Sequence, residues 1–190
     1  MKKEIHNGSI TLSEAIVWFL LLMFVIVGIL TATRSAFSSN DVNNELSNIE
    51  FMVNKTRTLL KQGGIYDFSD EGTMTGILIE YDGVPDTMNI IGDKDSGNAT
   101  VQNIWGGAVT VSPVADSNGS NSGFSITYNE VTQAACATLA GKLSATGLID
   151  SISVNGTTTD GALSVTDASA QCSPDSGSKG ANLLIFTSNT

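Results

Sequence analysis

The chain has 190 residues, of which 41% are hydrophobic, so it can form one domain with its own core and an additional helix. Nineteen acidic side chains against nine basic ones give a formal net charge of −10. Because phosphate and anionic lipid headgroups do not attract an acidic surface, this composition argues against nucleic acid and anionic lipid as partners.

The chain begins with a short basic leader, MKKEIHNGS, and an apolar segment follows it. No residue from Ala15 to Thr33 carries a charge, so this segment is close to long enough to cross a bilayer and predicts a membrane-inserting helix. Glu14 stands at its start, where an anion near hydrocarbon costs about 2.5 kcal/mol or more unless it is paired or hydrated. An ordinary anchor helix with a hydrated Glu14 is the simpler alternative. The leader has no apolar core of its own, so any cleavage is expected before the helix.

This layout resembles the type IV pilin family, whose precursors carry a basic leader, a glycine at the cleavage site and a glutamate at the fifth mature position of a long apolar helix. The matching residues are Lys2, Lys3, Gly8, Ile10 and Glu14. A cut between Gly8 and Ser9 would place Glu14 sixth, whereas a cut between Ser9 and Ile10 would place it fifth. We favour the second register, because Ile10 supplies an apolar first residue, and both registers, or no processing, stay open.

The resemblance implies a role in filament assembly for Glu14. Cleavage exposes an α-amino group, usually N-methylated in this family, and the glutamate of an incoming subunit neutralises the amine of a neighbour. Losing one partner of such a buried pair typically costs about 3 to 5 kcal/mol. The implied partners are a prepilin peptidase, an inner-membrane assembly platform, an outer-membrane secretin and further copies of the chain.

The helical pattern continues beyond the apolar segment, over residues 35–63. One apolar stripe recurs at spacings of 4, 3, 4, 3 and 4 and consists of Val42, Leu46, Ile49, Val53, Thr56 and Leu60. The charged residues Asp41, Glu45, Glu50, Lys55 and Lys61 are expected elsewhere on the helix. Because about two heptads is short for a coiled coil, the stripe predicts a helix packed on its own domain. Gly63 and Gly64 are expected to end a long helix from Ile10 to Gln62.

Residues 65–125 contain short strand-like segments separated by Gly, Asp, Asn and Ser. The predicted antiparallel strands are 76–81, 108–112 and 123–128. The sequence Asn103-Ile-Trp-Gly-Gly107 resembles the Asn-Pro-Trp-Gly-Gly turn that precedes the sheet in type IVb pilins and some pseudopilins, with Ile104 in place of the proline. Paired glycines permit positive φ in a tight turn, and Trp105 is expected to cover the core.

The C-terminal third predicts a second helix over residues 129–143, with Asn129 as its N-cap. Cys136 lies in this helix, and its single counterpart is Cys172. Two cysteines beyond a membrane helix predict one disulfide in an oxidising periplasm. Segments 151–154 and 162–165 are predicted as a hairpin and segment 183–186 as the last strand. A cysteine on such a helix, with the second near the C-terminus before a final strand, resembles the disulfide-bounded region of type IVb pilins.

The sequence offers little for catalysis or metal binding. His6 is the only histidine and lies in the leader, so a Ser–His or Cys–His arrangement is not expected after cleavage. Two thiols without histidine cannot complete a zinc site. Asp93, Asp95 and Asn98 loosely resemble a calcium loop, but their spacing does not fit an EF-hand and predicts turn formers. We therefore expect no catalytic residue, metal or cofactor.

Together these features predict an α+β protein of the type IV pilin fold: a long N-terminal helix, membrane-embedded in its first half, on a mostly antiparallel sheet with a C-terminal disulfide region. The predicted parts are a leader at 1–9, an apolar helix at 10–34, an amphipathic half at 35–63 and a head at 64–190. The implied function is that of a type IVb pilus subunit. It would wait in the bacterial inner membrane with a periplasmic head, and then polymerise into an extracellular filament for adhesion, aggregation or conjugative contact. A minor pilin or type II secretion pseudopilin and a monomeric single-span inner-membrane binding protein or sensor are the alternatives.

Overall fold

A computed structural model describes the backbone of residues 12–176 and 180–189 and divides the chain into two units, Met1–Asn40 and Asp41–Thr190. The helices are α1 (Leu12–Leu59), α2 (Glu71–Glu80), α3 (Gln133–Ser144) and α4 (Val165–Gln171). The strands are β1 (Asn89–Ile91), β2 (Thr100–Gln102), β3 (Ala108–Val114), β4 (Gly123–Val131), β5 (Ser151–Val154), β6 (Thr157–Asp160) and β7 (Asn182–Ser188). The predicted α+β class is confirmed.

Helix α1 ends at Leu59, three residues before the predicted end at Gln62. Gly63 and Gly64 have φ of 59° and 93° and form the tip of a turn in which Gln62 pairs with Ile65. The expectation that these glycines end a helix reaching Gln62 is therefore wrong. They reverse the chain after the helix, because glycine adopts left-handed φ without a Cβ penalty.

The predicted apolar stripe of α1 is buried in the core of the second unit. Val42, Ile49, Val53, Thr56 and Leu60 are each at most 5% exposed, and Leu46 packs against the same core while partly buried. The stripe thus packs on its own domain, as predicted. Burying apolar surface of this kind contributes about 25 cal/mol per Å².

The segment predicted as strand 76–81 is instead helix α2, which is a correction. Asp70 caps this helix, since its Oδ1 accepts a hydrogen bond from the Thr73 amide at 2.8 Å. Met74 and Leu78, one helical turn apart, are fully buried. A Cβ added at Gly76 would lie 1.9 Å from the carbonyl oxygen of Gly97, so only glycine permits this close packing. The cap and this packing outweigh the strand propensity of the isoleucines.

A seven-stranded sheet with the order β1-β2-β3-β4-β7-β5-β6 forms the second layer, and every neighbouring pair is antiparallel. Strands β3, β4 and β7 contain the predicted strands 108–112, 123–128 and 183–186. The hairpin prediction is half wrong, because β5 pairs with β6 and not with 162–165. Asn155 and Gly156, both at positive φ, form the two-residue loop between β5 and β6.

Helix α3 begins later than predicted. Strand β4 continues to Val131, and Thr132 occupies the N-cap position, so Asn129 is a strand residue and not a cap. The Asn129 side-chain amide donates to the carbonyl of Ala108 on the neighbouring strand. Pairing with β7 extends β4 through a register shift between Tyr128 and Val131, and this shift delays the start of the helix.

Candidate functional sites

The predicted assembly and cleavage residues fall largely outside the part of the chain that the structure describes. Gly8, Ser9 and Ile10 precede the described residues. Glu14 lies in the backbone of α1, but its side chain is also outside the described part. The roles of these four residues therefore stay predictions.

The first unit carries apolar side chains that face solvent. Those described as at least half exposed are Ile16, Val17, Phe19, Leu20 and Met23, all on α1. Within the described residues, none of the helices combines the length and the apolar character needed to span a membrane. The membrane-embedded half of the helix thus stays a prediction.

The two cysteines form the predicted disulfide. Cys136 lies on α3 and is fully buried, and Cys172 follows α4 directly and is 6% exposed. The two cysteines are 36 residues apart in the sequence, and the segment between them contains the β5–β6 hairpin and α4. It therefore ties the last helix to α3 from inside the core.

A buried asparagine next to this disulfide was missed by the sequence analysis. Asn182, 1% exposed, donates from its side-chain amide to the carbonyls of Val131 and Ser173. Its Oδ1 accepts from the amide of Ser173 and from the side chain of Asn155. Asn182 thus connects the segment after Cys172 to the end of β4 through hydrogen bonds. Its position at the start of a strand gave no sign of this role in the sequence.

The sequence Asn103–Gly107 forms the expected turn before β3. Asn103 Oδ1 accepts from the amides of Trp105 and Gly107 at 3.0 and 2.9 Å, and its Nδ2 donates to the carbonyl of Asn129 at 2.7 Å. Gly106 has φ of 86°, whereas Gly107 is required for space, because a Cβ there would lie 1.8 Å from the Asn129 carbonyl oxygen. Trp105 packs against the core while partly buried.

This turn is joined to α1 by Glu45, which was expected away from the apolar stripe that packs on the core. Glu45 is only 2% exposed, so that expectation is wrong. Its Oε1 accepts from the amide of Ile104 at 2.8 Å. Its Oε2 accepts from the hydroxyl of Tyr128 at 3.1 Å and from the side chain of Asn48 at 3.3 Å. The signal was present in the sequence, because Glu45 lies three residues after Val42 and so follows the apolar stripe.

Burial is the main influence on the acidity of this group. It raises the pKa of Glu45 above its ordinary value, and the hydrogen bonds from Ile104, Asn48 and Tyr128 offset part of that rise. The Tyr128 hydroxyl is fully buried, and burial together with the neighbouring Glu45 charge holds its pKa well above the ordinary range. The site is a buried carboxyl whose hydrogen-bond partners are all uncharged.

In the described part of the chain, the polar groups considered for metal binding and catalysis do not come together in one site. In the parts of the chain that the structure describes, no group of three or more His, Cys, Asp or Glu side chains could hold a metal ion. The Asp93 carboxylate accepts from the Asp95 amide and caps the short 3₁₀ turn Lys94–Ser96, which is a turn-forming role. A cavity of about 260 Å³ between the end of α1 and α2 is lined by Leu59, Leu60, Gln62, Asp67, Phe68, Ile77 and Tyr81. These residues do not include a nucleophile paired with a base.

Comparison with known proteins places these features in a family. Residues 39–189 match the model of the PilS N-terminal family. The chain is similar to a crystal structure of type IVb pilin from Salmonella typhi, with 35% identity, a TM-score of 0.69 and coverage of 78% of this chain and 99% of that one. It is also similar to an NMR structure of the type IVb pilin PilS from Salmonella typhi, with 33% identity, a TM-score of 0.53 and coverage of 77% and 95%. No curated protein matches the chain.

Proposed function

Because the chain belongs to the PilS family of type IVb pilins, we propose that it is the structural subunit of a type IVb pilus. Its copies polymerise through the N-terminal helix into an extracellular filament, with the acidic heads outside. The observation that carries this proposal is the exposure of Ile16, Val17, Phe19, Leu20 and Met23 on α1, in a chain of this family.

The exposed side chains need an apolar environment outside their own chain both before and after polymerisation. Fully burying an aliphatic or phenylalanine side chain contributes about 1.5 to 3 kcal/mol. Five such side chains that face solvent in one copy would be covered by the helices of neighbouring copies in a filament. Before assembly, the hydrocarbon of the inner membrane would cover them, and helices would then exchange lipid for one another.

Assembly also requires processing and a partner for Glu14. A prepilin peptidase removes the leader, preferably between Ser9 and Ile10, and the new amino group is methylated. Glu14 of an incoming copy then pairs with the terminal amine of a copy already in the filament, because either charge alone in an apolar core is costly. An inner-membrane platform and an outer-membrane secretin complete the export route.

The role of the filament depends on its surface. The proposed roles are adhesion, aggregation and conjugative contact. A minor pilin or secretion pseudopilin shares the helix but would be a small fraction of the filament. A single-span inner-membrane sensor would keep its leader and stay monomeric. The retained Glu14 and the disulfide favour the polymerising subunit.

Electron microscopy of filaments sheared from the native host, with mass spectrometry of their main protein band, tests the proposal. We expect the main band to be this chain without its first eight or nine residues and with one added methyl group. A minor band in a filament made of another pilin would favour the minor-pilin alternative. An intact chain found only in the membrane fraction would contradict the proposal.

A further inference from the structure

The most unusual group in the head is the buried carboxyl of Glu45. It joins three separate parts of the chain: its own helix α1, the backbone of the Asn103–Gly107 turn at Ile104, and strand β4 at Tyr128. The cluster extends to Thr87, whose hydroxyl donates to the side-chain oxygen of Asn48 at 2.8 Å. A carboxyl with 2% exposure normally carries a cationic partner, whereas the three groups that donate to Glu45 are uncharged.

The hydrogen bonds around Glu45 can be satisfied in both protonation states. When ionised, Oε1 accepts from Ile104 and Oε2 accepts from Tyr128 and Asn48. When protonated on Oε2, the carboxyl can donate to the Tyr128 oxygen instead. The Tyr128 hydroxyl then has an acceptor in the sulfur of Met88 at 4.0 Å. The proton thus reverses one hydrogen bond without breaking the contact with the turn.

Among the residues that the structure describes, the charged groups on the surrounding elements bond other partners or add negative charge near Glu45. On α1, the charge of Asp41 disfavours a second negative charge at Glu45. On α3, the ammonium group of Lys142 donates a hydrogen bond to the side-chain oxygen of Asn43. From the loop before β1, Asp86 pairs with Lys94 at 3.0 Å. From β4, the group that contacts Glu45 is the neutral hydroxyl of Tyr128.

We propose that Glu45 is a proton-binding lock between α1 and the Asn103–Gly107 turn, whose neutral form gives the more stable folded state when the surroundings become acidic. Proton binding removes an uncompensated charge from the core and keeps the hydrogen bond from the Ile104 amide. The folded state is therefore most stable when Glu45 is neutral. This property belongs to the single chain and does not depend on filament formation.

The direction of the pH effect follows from linkage. Burial raises the pKa of Glu45 in the folded head, so the folded state binds the proton more tightly than the unfolded chain. The resulting stabilisation is complete below the ordinary value of 4.5 and is lost as pH rises through the raised pKa. An elevation of one unit corresponds to about a tenfold change in the ratio of folded to unfolded protein across this window.

The test compares full-length chains in detergent micelles: wild type, Glu45→Gln and Glu50→Gln. Glutamine copies the shape and neutrality of the protonated carboxyl. Glu50→Gln is the matched control, because it removes the same charge from the same helix at a partly exposed position. Thermal unfolding is measured from pH 4.5, the ordinary pKa of the carboxyl, to pH 7.5. Hydrogen exchange followed by mass spectrometry reports on the peptide that contains the Ile104 amide.

We expect the Tm of Glu45→Gln at pH 7.5 to be higher than that of Glu50→Gln. Acidification should raise the Tm of wild type and of Glu50→Gln, and most of this rise should be absent in Glu45→Gln. Protection of the Ile104 amide, corrected for intrinsic exchange, should increase on acidification in wild type and stay constant in Glu45→Gln. Unfolding or a lower Tm of Glu45→Gln at pH 7.5, or a pH response equal to that of Glu50→Gln, would overturn the proposal. Unchanged protection of Ile104 in wild type across this range would do the same.

Discussion

Arg57 on α1 donates a hydrogen bond from its guanidinium to the hydroxyl of Ser188 on β7, at 2.8 Å. The same nitrogen also donates to the carbonyl of Leu148, which precedes β5. The two partners of the first contact are 131 residues apart, so one cation connects helix α1 to strand β7. This contact is additional to the apolar packing of α1.

Replacing Arg57 should therefore destabilise the head. Arg57→Met keeps an apolar stem but removes two charge-assisted hydrogen bonds, and we expect a loss of about 2 kcal/mol in the free energy of unfolding. Urea unfolding of the full chain in micelles, followed by near-ultraviolet circular dichroism, provides the measurement. Lys55→Met is the control, because Lys55 contacts the ring of Phe51 on its own helix and should contribute far less. Equal losses in both variants would contradict the assigned role.

Removing the disulfide should also lower stability. The chain-entropy model gives about 4 kcal/mol for a loop of this length, so we expect Cys136→Ala/Cys172→Ala to show a correspondingly lower urea midpoint. Treating wild type with a reductant under partly denaturing conditions should produce a similar shift. The double variant is its own control here, since the reductant should leave its midpoint unchanged. A midpoint that is the same with and without the bond would show that the loop is held by other contacts.

Gly107 should tolerate no side chain, whereas a side chain at Gly106 should cause only a small loss in the free energy of unfolding. In Gly107→Ala the new Cβ would meet the backbone oxygen of Asn129 at 1.8 Å, so the turn or β4 must move, and we expect a loss of at least about 3 kcal/mol. In Gly106→Ala the Cβ meets no atom within 4 Å, and only the positive φ is strained, at about 1 kcal/mol. Thermal unfolding of both variants measures the difference. A smaller loss for Gly107→Ala than for Gly106→Ala would refute this explanation.

Glu14→Ala tests the assembly role proposed for that residue. We expect normal insertion into the inner membrane and loss of surface filaments, because the terminal amine of a neighbour would be left unpaired in an apolar core. Membrane fractionation and electron microscopy of the native host measure the two properties separately. Glu4→Ala is the control, since the leader that contains it is removed in the proposed pathway. Filaments at the wild-type level in Glu14→Ala would show that this carboxylate has no such role.

The sequence determined the features that repeat along one element or depend on residue type. The spacing of the α1 stripe identified the buried face of the helix, and short strand-like segments identified β3, β4 and β7. The two cysteines, placed beyond the apolar N-terminal segment, predicted the disulfide. The pattern Asn103-Ile-Trp-Gly-Gly107 located a turn, because an asparagine and paired glycines favour that local geometry whatever surrounds them.

Only the tertiary structure decided which polar groups and which apolar segments are buried in the core. Segment 76–81 forms a helix because Gly76 packs on a distant carbonyl, and β4 extends to Val131 because β7 pairs with it. Glu45 is buried because Ile104 and Tyr128, 59 and 83 residues away in the sequence, supply its donors. The physical reason is that local propensities differ by less than about 1 kcal/mol per residue, whereas contacts between distant elements are each worth as much or more.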